Sequence, residues 1–189
     1  MSNALKTENK IYDFNDIYAF TTEYISTLSS ADDIYNKQCF NGLIKYIALK
    51  INITDNHLAN IDYLNTLWDI YTTLCYKYKN PITTTRFCVL ISTHRETLNR
   101  WKKGEYRNDY SDKLSMSRCD ILKKWHNEAE GSLESESLNG NIGAIFGLKA
   151  GYGWQEQQQT EHIHRHVVER TADQIAGDYN IPALESDTI

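Results

Sequence analysis

The sequence predicts an all-α protein, and three observations carry that reading. Two prolines and nine glycines in 189 residues supply few of the turns that a β-sandwich or other loop-rich fold needs. Apolar residues recur at helical three- and four-residue intervals over most of the first 150 positions. The ends of those runs carry helix punctuation, such as Asn80-Pro81 and Lys102-Lys103-Gly104. With 41% hydrophobic and 24% charged residues and a mean hydropathy of -0.57, the chain is too apolar for disorder and too polar for a membrane protein. No apolar stretch approaches the ~20 residues of a bilayer span. The opening Met1-Ser2-Asn3-Ala4-Leu5-Lys6 lacks the apolar segment of a secretory signal, so a cytoplasmic location is expected.

Residues 1–12 are polar and aperiodic and read as a frayed arm. From Asp13, the spacing of Phe14, Ile17, Tyr18, Ile25 and Leu28 predicts a first helix; after the Ser29–Asp33 break, Ile34, Tyr35, Leu43, Ile47 and Ile51 predict a second. Asn52–His57 reads as a turn. Leu58, Ile61, Leu64, Leu67, Trp68, Tyr71, Leu74, Cys75 and Tyr78 then mark a long amphipathic helix. Many of the thirteen tyrosines fall in these three helices, and a Tyr-rich layer suits packing or an oligomer interface, because the ring buries well while the hydroxyl still finds a partner.

Thr83–Leu90 predicts a short helix burying Phe87 and Leu90. A brief Ile91-Ser92 link follows, and Thr93-His94-Arg95-Glu96 has the Thr-x-x-Glu form of a capping box that opens another helix. That helix places Leu98 and Trp101 inside and stops at Gly104 after a basic last turn. Two short helices with a tight turn and a basic second helix form a helix-turn-helix, whose second helix enters the major groove of DNA. Thr93, His94, Arg95, Asn99, Arg100, Lys102 and Lys103 are the candidate DNA-binding residues. Arg forks onto guanine, Asn onto adenine, and Lys offers a point charge to phosphate.

Charge falls in blocks. Residues 1–81 sum to -2, residues 82–125 to +5 and residues 126–189 to -8. A basic middle suits phosphate contact even in an acidic chain, although a solvated basic helix face reads the same way. A polar loop at 106–112 leads to Ser115 or Ser117, either able to cap a long helix with Cys119, Leu122, Trp125 or His126, Ala129 and Leu133 inside. Its acidic residues, Glu128, Glu130, Glu134 and Glu136, read as a solvated face. Cys39, Cys75, Cys88 and Cys119 have no CxxC spacing and no histidine partner, and read as reduced core residues. The Asn52-Ile53-Thr54 sequon is a chance match. No phosphate loop, dinucleotide fingerprint, nucleophile elbow or zinc-protease helix is present, so the expectation is a non-enzyme without cofactor or metal.

The run Asn141-Ile142-Gly143-Ala144-Ile145-Phe146-Gly147-Leu148-Lys149-Ala150-Gly151-Tyr152-Gly153-Trp154 predicts an apolar helix ending in a Gly-aromatic-Gly-Trp turn. Taken with Ile91–Gly104, it resembles the small terminase subunits and related DNA-packaging proteins of tailed phages and phage-derived elements. The resemblance covers about residues 63–156. It implies a homo-oligomer that recognises double-stranded phage DNA through the helix-turn-helix and hands it to an ATP-hydrolysing, nuclease-bearing large subunit. On that resemblance Thr93, His94, Arg95, Asn99, Arg100 and Lys103 make the DNA face, while Ile142, Ile145, Phe146, Leu148, Tyr152 and Trp154 are core or assembly contacts. Two other roles stay open on such a fold: an inhibitor or adaptor that binds a protein, for example a host nucleoprotein defence enzyme, and a transcriptional repressor.

Gln155–Thr160 reads as a linker. His162 and His166 lie one helical turn apart but lack a third ligand, so no metal is assigned. Thr171-Ala172-Asp173-Gln174 has capping-box form, and Ile175 and Tyr179 make the following helix a candidate partner-docking segment. The expected organisation is an N-terminal helical module at 1–57, a helix-turn-helix and oligomerisation region at 58–154, and a linker with docking tail at 155–189.

Overall fold

The computed structural model describes residues 10–107 and 109–155, which belong to a compact unit ending at Gln155. The chain is all-α. The helices are α1 (Phe14–Ser26), α2 (Lys37–Ile51), α3 (Asp55–Ala59), α4 (Ile61–Lys77), α5 (Thr84–Leu90), α6 (Arg95–Lys102), α7 (Arg118–Leu138) and α8 (Ile142–Tyr152), with a 3-10 turn at Ala31–Tyr35 before α2. Among the described residues there is no strand, only an isolated bridge between Tyr110 and Ser117, and no helix is long and apolar enough to cross a membrane.

Side chains that satisfy free backbone N–H groups set most of the starts. Asp13 and Asp16 form a reciprocal capping box on α1, Asn36 accepts from the Gln38 amide at α2, and Asn60 accepts from the Tyr63 amide at α4. The expected turn at 52–57 is more ordered than the sequence suggested. Asn52 takes the left-handed conformation (φ 43°) and ends α2. The Thr54 amide then donates to Nδ1 of His57 at 3.1 Å, so a histidine takes the place of the usual glutamate in the box that opens α3.

The core is continuous across residue 57. Phe40, Leu43, Ile44 and Ile47 of α2 join Leu64, Leu67, Trp68 and Tyr71 of α4, Phe87 of α5 and Trp125 of α7 in one buried cluster. The N-terminal helices are thus one wall of the core that holds the helix-turn-helix: α1 packs on α2, and α2 packs on α5. At the centre, Trp68 and Trp125 stack at 5.2 Å and 11°, with Phe87 edge-on to both. Both indoles keep a partner. Trp68 Nε1 donates to Glu128 at 2.7 Å and Trp125 Nε1 to Asn65 at 3.0 Å.

Glu128 is therefore a structural acceptor, as is Glu130, to which Trp154 Nε1 donates at 2.8 Å, and the acidic face of α7 is only partly a solvated one. The tyrosines divide in the same way. Tyr63, Tyr71 and Tyr78 are buried, whereas Tyr18, Tyr35 and Tyr76 are exposed. The Tyr71 hydroxyl donates to the Thr83 carbonyl and accepts from the Thr83 amide, both at 3.0 Å, which ties α4 to the first turn of α5. All four cysteines are free thiols; Cys75 and Cys88 are buried, and burial pushes each thiol up to about 11.

Candidate nucleic-acid interface

α5 and α6 form the expected pair of short helices. Thr83 caps α5 by accepting from the Arg86 amide at 3.2 Å. The chain leaves α5 through Ile91 and reverses at Ser92, which takes a positive φ of 50°. The capping box expected at Thr93 does not form. α6 starts one residue later, with His94 as its N-cap and no side-chain cap bond, and Glu96 is exposed. The strained Ser92 turn directs the backbone so that Thr93 precedes the cap position. The end of α6 is as the sequence expects: Lys103 caps and Gly104 takes φ 74°, a conformation open to a residue without Cβ.

Leu98 and Trp101 anchor α6, at 6% and 1% exposure. Trp101 lies on the guanidinium of Arg118, whose Cζ is 4.8 Å from its ring centroid. Arg118 is fully buried, and its Nη2 donates to Asp109 at 2.7 Å and to the Ala59 carbonyl at 3.0 Å. Burial opposes ionisation of Asp109, but the bonds and charge of Arg118 outweigh it and hold the carboxyl below its ordinary value. Nothing in the local sequence marks this pair, because an arginine in the first turn of a helix after a serine cap has the pattern of a surface residue. Asp62 fixes the same loop by accepting from the Ser111 hydroxyl and the Asp112 amide.

The candidate DNA-binding residues separate into two stripes and a turn. Arg95, Asn99 and Lys102, spaced i, i+4, i+7, face α7; with Thr84, Leu98, Leu122, Trp125 and His126 they line a hollow of about 20 Å3. Glu96, Arg100 and Lys103, at the same spacing, form an exposed stripe beside it; in the first stripe Arg95 is exposed as well, while Asn99 and Lys102 are half-buried. Arg100 and Lys103 each stand 3.8 Å from Glu105, and Arg100 lies over Tyr106. Thr93 is half-buried in the turn and His94 is exposed at the cap.

Burial, followed by the charges of Arg95 and Lys103, holds the Lys102 ammonium below its usual value. Burial, followed by Lys102 and Arg95, lowers His126 as well, against an opposing contribution from Glu130. Four of the ten cations of the basic block lie on α6 and its cap residue Lys103. Two of its other cations are spent inside the fold: Arg118 as above, and Arg86, which donates to Asn41 at 2.8 Å and to the Pro81 carbonyl at 2.7 Å.

The apolar C-terminal segment also divides. Leu148 is buried with Ala144, and the Tyr152 ring lies tilted against His126 with centroids 4.4 Å apart. Ile142, Ile145, Phe146 and Trp154 are exposed, the first and third at 68% and 67%, next to Leu138 at 83%. Gly147 lies over Leu133, where an added Cβ would sit 3.7 Å from it. Ile175, Tyr179 and the histidine pair of the tail lie outside the described residues. Among those described, no group of three or more His, Cys, Asp or Glu could hold a metal ion. No protein-family profile, no curated protein and no solved structure matches the chain.

Proposed function

We propose that the protein binds duplex DNA through α6, as the non-enzymatic recognition subunit of a phage-type packaging system that assembles as a homo-oligomer and delivers DNA to a large motor and nuclease subunit. One observation supports this reading above the rest. α6 is a short helix held by Leu98 and Trp101, preceded by a tight turn from α5, with Arg100 and Lys103 exposed on the outer side of the helix. Phosphate contact supplies affinity and salt dependence, and Arg100 and Lys103 are the exposed cations placed to make it.

The test is duplex binding by fluorescence anisotropy across a salt series, with Arg100→Ala/Lys103→Ala beside the parent. Two lost phosphate contacts should weaken binding and reduce the salt slope by about 2. Unchanged affinity and slope would sink the reading.

A second reading, a protein-binding adaptor or inhibitor, draws on α8. Ile142, Ile145 and Phe146 form an uncovered apolar strip, and strips of that kind mark protein contacts. Solution mass by light scattering, with and without duplex, separates the alternatives. A ring-sized oligomer with salt-sensitive DNA binding favours packaging, a dimer on paired half-sites favours a repressor, and a species indifferent to DNA favours the adaptor.

A further inference from the structure

We infer that the hollow between α6 and α7, at the end of α8, is a binding site for a single phosphate-type oxyanion, held by Arg95 and Lys102 with Asn99 as a neutral donor. This site does not rest on duplex binding by the exposed stripe, and it gives Arg95, Asn99 and Lys102 a role different from base readout.

Two cations converge here without a carboxylate in contact. Among the described residues neither Arg95 nor Lys102 forms an ion pair. The nearby carboxylate is Glu130, which accepts from the Trp154 indole at 2.8 Å and offsets the two cations only in part. Burial first, and then the charges of Arg95 and Lys103, disfavour the Lys102 ammonium, and an anion in the hollow would offset the repulsive part. Leu98, Leu122 and Trp125 form an apolar floor, where charge interactions are stronger than in open water.

Size and donor chemistry narrow the ligand. A volume of about 20 Å3 admits one or two waters, or the leading oxygens of one oxyanion, and excludes a nucleobase. Arginine offers a planar fork, lysine a point charge and Asn99 an amide N–H, a donor set suited to tetrahedral oxygens. Gly151 of α8 stands over Arg95. A Cβ at that position would lie 3.6 Å from the Arg95 Nη2, so alanine fits, while a larger side chain would crowd the guanidinium.

His126 supplies the readout. It is faced by Arg95 and Lys102 from α6, by Glu130 on its own helix and by Tyr152 from α8. An anion between Arg95 and Lys102 cancels part of the positive field that suppresses imidazolium, so the His126 pKa should rise when the site fills. The experiment titrates His126 by NMR in the full chain, the resonance assigned with His126→Gln, in inorganic phosphate against chloride at matched ionic strength.

A saturable upward shift of the His126 pKa in phosphate is expected, and Lys102→Met should raise the pKa in chloride and remove most of the phosphate response. Arg95→Gln provides a second variant if the first does not fold. Absence of a phosphate-specific shift in the parent, or an equal shift in a folded variant, overturns the site. Adding duplex then distinguishes the source. Displacement of phosphate identifies a backbone phosphodiester as the natural occupant, and coexistence of the two identifies a free oxyanion. Loss of duplex binding in Arg100→Ala/Lys103→Ala with an intact phosphate response would leave the two assignments independent.

Discussion

Trp101 of α6 and Arg118 of α7 are stacked, indole on guanidinium, and the cation is buried beneath the helix that presents the candidate DNA face. The other side of the contact is closed by Asp109 and the Ala59 carbonyl. α3 and the 104–117 loop that leads into α7, stretches far apart in sequence, thereby meet at one buried charge. α6 has eight residues, too few for a stable isolated helix, so its geometry depends on this contact and on Leu98.

Replacing Asp109 by Asn should therefore leave a buried guanidinium without its counter-charge and destabilise the fold by about 3 kcal/mol, a figure reduced for the partial exposure of the carboxylate. The sign with pH is fixed. Because the folded carboxyl titrates below its unfolded value, its stabilisation is fully present above the ordinary carboxylate range and is lost as pH falls through the lowered value. Urea denaturation should show a gap between parent and Asp109→Asn at pH 7 that closes below about pH 4. A gap independent of pH would dissociate Asp109 from the buried charge.

Two threonines at similar positions should respond differently. Thr83→Ala removes a cap bond from α5 and should cost about 1 kcal/mol, whereas Thr93→Ala, with no cap bond to lose, should change stability by less than about 0.5 kcal/mol. Thermal melts of the two variants make the comparison, and equal losses would restore a capping role for Thr93.

Glu96 lies on the stripe of Arg100 and Lys103, and a carboxylate there opposes phosphate. Glu96→Gln should tighten duplex binding about threefold at low salt, with the gain fading as salt screens it. Unaltered affinity in an anisotropy titration would place the duplex on another surface.

On α8, Phe146→Glu should change monomer stability little, since that ring is 67% exposed, while lowering the solution mass if the strip is an assembly contact. Light scattering and a melt on the same sample test both halves. A mass identical to the parent's would remove the strip from the assembly surface.

Helix periodicity, stop signals and the inner residues Leu98, Trp101, Leu122 and Trp125 were legible because each depends on local spacing. The division of α6 into two stripes was only half legible. Spacing groups Arg95 with Asn99 and Lys102, but the packing of α7 decides which group lines the hollow. The burial of Arg118 was illegible for the same reason, since Asp109 and Ala59 are brought to it by tertiary folding. The Thr93 box misled because a Thr-x-x-Glu pattern says nothing about where the preceding turn releases the chain, and here Ser92 at φ 50° shifts the start by one residue. α8 is apolar on both flanks, so periodicity could not say which side meets α7.

The buried charge under Trp101 bears on how fast a partner could engage. A recognition helix that is ordered only on contact slows association and spends interaction energy on its own ordering. Here the shape of α6 is set in advance by residues that no ligand needs to touch. Encounter then requires orientation without refolding, so the association rate should be governed by long-range attraction to the cations of α6 and by the salt that screens it.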